Sequence, residues 1–142
     1  MNAEVFLDTN VLLYSISKAP AEAGKQRIAD ALASTPHFGV SAQVCQEFIA
    51  VAGGKMRSSI TPEETRAYVA MLLEHPFVST DAELIRAALE IQGRFQISYW
   101  DAAIIAAAQR LGAKTIYSED LSHGQHYGSV QVVNPFLVAK PA

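Results

Sequence analysis

Apolar positions along the chain fall into short β-rich runs that alternate with longer stretches of helical period. Val5–Leu7, Phe38–Val40, Lys114–Tyr117 and Val130–Val133 have the length and composition of strands, and Phe77–Val78 reads as a short strand or extended link. Between them the spacing predicts helices over 11–17 and 21–33, on either side of Ala19-Pro20. Further helices are predicted over 42–52, closed by Gly53-Gly54, and over 62–74, 81–92 and 99–111, the last ended by Gly112. Thr61, Pro62 and Glu64 form a capping-box signature for the fourth of these, and Thr80 with Glu83 forms another for the fifth. Strand–helix alternation implies βαβ units and a mostly parallel sheet covered on both faces. In such sheets ligands sit beyond the carboxyl ends of the strands. Acids at strand ends, or early in the following helix, are therefore the residues to examine.

Composition narrows the class. A length of 142 residues suits one domain over residues 1–142. Half the residues are hydrophobic and 18% are charged, a globular balance. No apolar run approaches the roughly 18–20 residues of a bilayer span, and the N-terminus lacks the features of a secretory signal. The single cysteine, Cys45, excludes an internal disulfide framework and fits a reducing cytoplasm; it is expected to be a buried small residue. The net charge of −3 argues against bulk electrostatic holding of nucleic acid, but not against a nuclease with an acidic centre.

Most acids have ordinary surface or capping roles, Glu64 and Glu83 among them. Four invite a second reading. Asp8 ends the first strand, as either the N-cap of the next helix or half of a distant pair. Glu47 falls on the wheel inside the stripe Val44, Phe48, Val51, where a carboxylate requires a partner. Asp101 heads the apolar face Ile104, Ile105, Ala108, although Ser98-x-x-Asp101 also reads as a capping-box variant. Asp120 follows the strand ending at Tyr117, with Glu119 beside it as the alternative. In a parallel sheet all four reach the same edge, and neighbouring strand ends at Asp8 and Ser41 would bring Glu47 over Asp8. Two like charges about 4 Å apart repel by about 4 kcal/mol at an effective dielectric of 20. No lysine or arginine lies at a matching strand end, so an all-oxygen cluster points to a hard divalent ion such as Mg²⁺ or Mn²⁺.

The ordered set LDTNVLLY, Glu47, SYWDA and YSEDLSHGQ followed by VVNPF resembles the PIN-domain ribonucleases, especially the VapC-type toxins, over essentially the whole chain. The resemblance implies a three-layer α/β/α sandwich with a central, mainly parallel sheet. It implies an Mg²⁺- or Mn²⁺-dependent endoribonuclease with metal held by Asp8, Glu47, Asp101 and Asp120. Thr9 or Asn10, Ser98 and Ser118 would support that site. It further implies an RNA substrate, a homodimer and a small antitoxin partner. Ser118 stands where the family often has threonine and keeps the hydroxyl.

Other features are expected to be structural. His123 and His126 lie in a Gly-rich loop without further metal ligands. Tyr99 and Trp100 are expected to pack in the core. Lys55 and Arg57 form the best local basic pair, either a phosphate contact or a solvated loop. Tyr14, Ile16 and the helices between Ala42 and Leu73 are candidates for a dimer face. Rival readings are a receiver-like Mg²⁺-binding phospho-acceptor domain, which wants an acidic pair and a later lysine, a phosphatase with Asp-x-Asp at the position Asn10 occupies, and a catalytically silent PIN-type binding module.

Overall fold

A computed structural model describes residues 2–138; residue 1 and residues 139–142 of the expected domain lie outside the described part. The first strand, β1 (Val5–Leu7), pairs in parallel with β4 (Thr115–Tyr117), which pairs in parallel with β6 (Val130–Val133). A short antiparallel strand, β5 (His126–Tyr127), edges this sheet in the order β1-β4-β6-β5. On the other side of β1, β2 (Val40–Ser41) pairs in parallel with β3 (Phe77–Val78). A parallel bridge between Phe6 and Gly39 joins the two sheets, with Leu7 N–H donating to the Gly39 carbonyl at 3.1 Å and Gly39 N–H to Val5 at 2.7 Å. A Cβ on Gly39 would come within 2.6 Å of Leu111 Cδ1 and 3.2 Å of Ala3 Cβ, so any larger residue here would force the Leu111 side chain to shift.

Helices cover both faces, giving the expected α/β/α arrangement. The helix α6 (Tyr99–Arg110) lies against β2, β4 and β6 and is backed by α5 (Ala82–Phe95). Every residue from Ala102 to Ala108 is buried, so α6 is apolar nearly all round and its small side chains let it sit between sheet and helix. On the other face α1 (Thr9–Ser15) packs on α2 (Ala23–Ala33) and α3 (Ala42–Ala52). A 3-10 turn, Pro20–Glu22, precedes α2. Against α3 lies α4 (Pro62–Leu72), and α7 (Pro135–Val138) lies against α2. Among the described residues no helix is long and apolar enough to cross a membrane.

Several expectations shift. The second strand is Val40–Ser41, starting two residues later than the expected 38–40, because His37 takes a left-handed turn (φ 61°) and Gly39 serves the bridge. Phe38 instead fills the core, stacked on His75 with ring centres 3.8 Å apart. The capping box at Thr61 and Glu64 forms as predicted, with both reciprocal hydrogen bonds. Thr80 and Glu83 do not cap α5. Asp81 does, accepting from Leu84 N–H at 2.8 Å while pairing with both Arg110 nitrogens at 3.0 and 3.1 Å. The edge strand β5 and the terminal α7 were not predicted. His126 and Tyr127 carry no strand pattern between Gly124 and Gly128, and pair with β6 because Gly128 (φ 63°) closes the turn.

Candidate active site

The carboxyl ends of β1 and β4 carry two buried polar residues, Asp8 and Ser118. Asp8 N–H extends the β1–β4 ladder to the Tyr117 carbonyl at 3.1 Å, and Ser118 N–H extends β4–β6 to Val133 at 3.1 Å. These ladders fix where both side chains emerge. Asp8 is 8% exposed and Ser118 fully buried. One Asp8 oxygen accepts from Thr9 N–H at 2.8 Å, and the other accepts from the Ser118 hydroxyl at 2.7 Å. Asp8 is thus both the N-cap of α1 and part of a polar constellation.

Asn10, in the first turn of α1, ties that constellation together. Its Nδ2 donates to Asp120 Oδ2 at 3.2 Å and lies 3.4 Å from Asp8 Oδ2. Its Oδ1 accepts from Glu119 N–H at 3.0 Å, and the Ser118 hydroxyl accepts from Asp120 N–H at 3.1 Å. A neutral amide donor therefore separates two carboxylates and locks the loop after β4 onto the start of α1. Glu47 approaches from α3, accepting from the Thr9 hydroxyl at 2.9 Å. Asp101 stands in the first turn of α6, where Ser98 Oγ accepts from its backbone N–H at 3.1 Å. No reciprocal bond from the Asp101 carboxylate to Ser98 is present among the described residues, so the capping box expected there is only half formed.

Asp8, Glu47, Asp101 and Asp120 line one open cleft of about 340 Å³, together with Thr9, Asn10, Gln43 and Trp100. Among the described residues, no basic side chain lines it. Burial pushes the Asp8 carboxyl up to about 6, and the charges of Glu47 and Asp120 add to that rise; the Ser118 and Thr9 hydrogen bonds oppose it. Glu119 belongs elsewhere. It accepts from the Tyr14 hydroxyl at 2.7 Å and pairs with Lys25, in a neighbouring pocket that also holds Lys55.

Two expectations about side-chain placement are overturned. Glu47 is exposed; the buried stripe of α3 is Val44, Cys45, Phe48 and Ala52, and Glu47 flanks it beside the cleft mouth. Trp100 is 65% exposed on the cleft rim, because α6 begins there, before the helix enters the core at Ala102. Sequence reading also missed Gln43, whose amide donates to the Trp100 carbonyl at 3.3 Å and links α3 to α6 across the cleft. A glutamine near a helix start carries no periodic signal. His123 Nδ1 accepts from Asn134 N–H at 2.9 Å, tying its loop to the residue after β6.

The donor chemistry of the cleft, four carboxylates with neutral amides and a hydroxyl, fits a hard divalent cation. Among the described residues, no three acids, histidines or cysteines stand close enough to hold one ion in the positions seen here.

A family model for the PIN domain matches residues 5–126. The chain belongs to the PIN domain family. Solved PIN-like structures share its fold. A toxin–antitoxin complex from Klebsiella pneumoniae superposes with a TM-score of 0.68 at 16% identity, covering 92% of this chain and 97% of that one. Mycobacterium tuberculosis VapC20, described as a toxin cleaving the sarcin–ricin loop, gives 0.63 at 23% identity, covering 82% and 89%. Rickettsia felis VapBC2, bound to a DNA fragment from its promoter, gives 0.56 at 17% identity, covering 90% and 96%. No curated protein matches the chain significantly. At these identities the PIN-like structures speak for the fold.

Proposed function

We propose that this PIN domain is an Mg²⁺- or Mn²⁺-dependent endoribonuclease, the toxin of a type II toxin–antitoxin pair. The observation that carries the reading is the convergence of Asp8, Glu47, Asp101 and Asp120 on one cleft with no basic side chain among its described lining residues. Such a cleft repels the phosphate of an RNA unless a cation intervenes. The Klebsiella neighbour is a toxin–antitoxin complex and the Mycobacterium neighbour is a toxin cleaving the sarcin–ricin loop, which favours the same class.

Asp8, Glu47 and Asp101 would hold the ion, with Asp120 completing the site directly or through water. When bound, a divalent ion lowers the pKa of water and neutralises charge on the phosphoryl oxygens. Gathering three acids on one ion requires their side chains to turn inward from the positions seen here. Ser118 fixes the orientation of Asp8, Thr9 restrains Glu47, and Asn10 keeps Asp120 at the cleft. The reaction would be hydrolysis, with no histidine base among the described lining residues. A small antitoxin would bring positive charge to the same cleft, and the active species would be a homodimer.

A receiver-like phospho-acceptor is disfavoured, since the lysine such a site needs is not among the described lining residues. The test is direct. Purified, antitoxin-free chain should cut structured RNA in Mg²⁺ or Mn²⁺, stop in excess EDTA and resume when metal is restored. Cleavage that persists in excess EDTA, or no cleavage with either ion, rejects the reading.

A further inference from the structure

Trp100 is the most exposed of the large apolar side chains among the described residues, at 65%. Single exposed apolar residues are ordinary on protein surfaces, so exposure alone carries nothing. Its position does. Trp100 is the one aromatic residue among the described residues lining the acidic cleft, and it immediately precedes Asp101.

Two contacts hold this rim. The Tyr99 ring meets the indole edge-on, with centres 5.2 Å apart and planes at 78°. The Trp100 carbonyl accepts from Gln43, which anchors the start of α6 to α3. The backbone is thus fixed while most of the indole stays in solvent. An acidic cleft with no basic side chain among its described lining residues offers RNA no electrostatic grip beyond any bound cation. Stacking is independent of that charge problem, because every base has a π-face. Single-stranded RNA is commonly held this way, on aromatic side chains that receive splayed bases.

We propose that Trp100 is a stacking platform for an unpaired nucleobase of the RNA, next to the phosphodiester brought to the acids. The proposal rests on the nuclease reading for its substrate, and the experiment separates the two. Trp100 is the only tryptophan in the chain, so its emission reports on this position alone.

In the Asp8→Asn chain with Mg²⁺, where cleavage is expected to be about 10²–10³-fold slower, a single-stranded hexaribonucleotide should quench the emission. The same hexamer built of abasic nucleotides should not. In the otherwise native chain, Trp100→Ala should raise KM for RNA cleavage about tenfold with kcat changed less than about twofold, and Trp100→Phe should recover most of the loss. Because the side chain is exposed, the melting temperature of Trp100→Ala should match the native chain.

Equal quenching by the abasic hexamer, or an unchanged KM in Trp100→Ala, overturns the stacking role. Quenching only by a protein partner, with none by RNA, assigns the residue to protein docking and also overturns it. If the native chain fails to cut RNA but base-dependent quenching persists, stacking stands and the nuclease reading falls.

Discussion

Asp8→Asn and Asp101→Asn are each expected to lower RNA cleavage by about 10²–10³-fold, the size of loss seen when one charge-stabilising group leaves an active site. The two variants differ in what accompanies that loss. The Asp101 carboxylate lines the cleft and returns no hydrogen bond to Ser98 among the described residues, while its backbone N–H keeps the cap. Asp101→Asn should therefore change the stability of the metal-free chain by no more than about 1 kcal/mol, chiefly through the favourable placement of an acid in the first turn of a helix. Cleavage assays beside thermal melting separate the outcomes. A loss of activity that tracks a large loss of stability would give Asp101 a structural role instead. Full activity in either variant would remove the acidic cleft from catalysis.

Metal-free stability should fall as pH rises from about 4 to about 6, to the extent that Asp8 controls it. The folded chain holds the Asp8 proton up to about pH 6, whereas an unfolded aspartate, with a model value of 3.8, releases it earlier. Between those values the native state binds more protons, so acidification stabilises it. The full effect at neutral pH is a destabilisation of about 3 kcal/mol, at about 1.4 kcal/mol per pH unit of displacement. His75 works in the opposite sense. Burial holds its pKa below 6.5, so stability associated with it is lost as pH falls below that value. Comparing the native chain with Asp8→Asn cancels the His75 contribution. In EDTA, Asp8→Asn should be the more stable chain at pH 7, and the difference should shrink towards pH 4. Chemical denaturation across that range checks it, and a pH-independent difference would mean that Asp8 is not strained by burial and charge. Saturating Mg²⁺ should reverse the ranking, since a bound cation favours the ionised carboxylate.

Strand–helix alternation made the sheet legible, because β1, β4 and β6 are short apolar runs between polar boundaries. The cap at Thr61 was legible for the same reason that it works: hydroxyl, proline and glutamate sit at fixed offsets. The Asp81 cap was not, since two adjacent residues, Thr80 and Asp81, can each cap a helix, and the pairing of Asp81 with Arg110 is remote in sequence. β5 exists only through its pairing with β6, which no local pattern encodes. The four acids could be nominated from strand ends, but their environments could not. The wheel placed Glu47 inside the apolar stripe, and it is exposed at a cleft that the packing of α1, α3 and α6 creates. Trp100 likewise looked like core from composition and lies on the rim, because helical burial begins two residues later.

The acids matter only if they bind a cation together. Calorimetric titration of the metal-stripped full chain with Mn²⁺ tests that most directly. Native protein should bind the ion, and Asp8→Asn and Asp101→Asn should each bind at least about tenfold more weakly. Equal affinity in all three, or no binding by the native chain, would contradict the account.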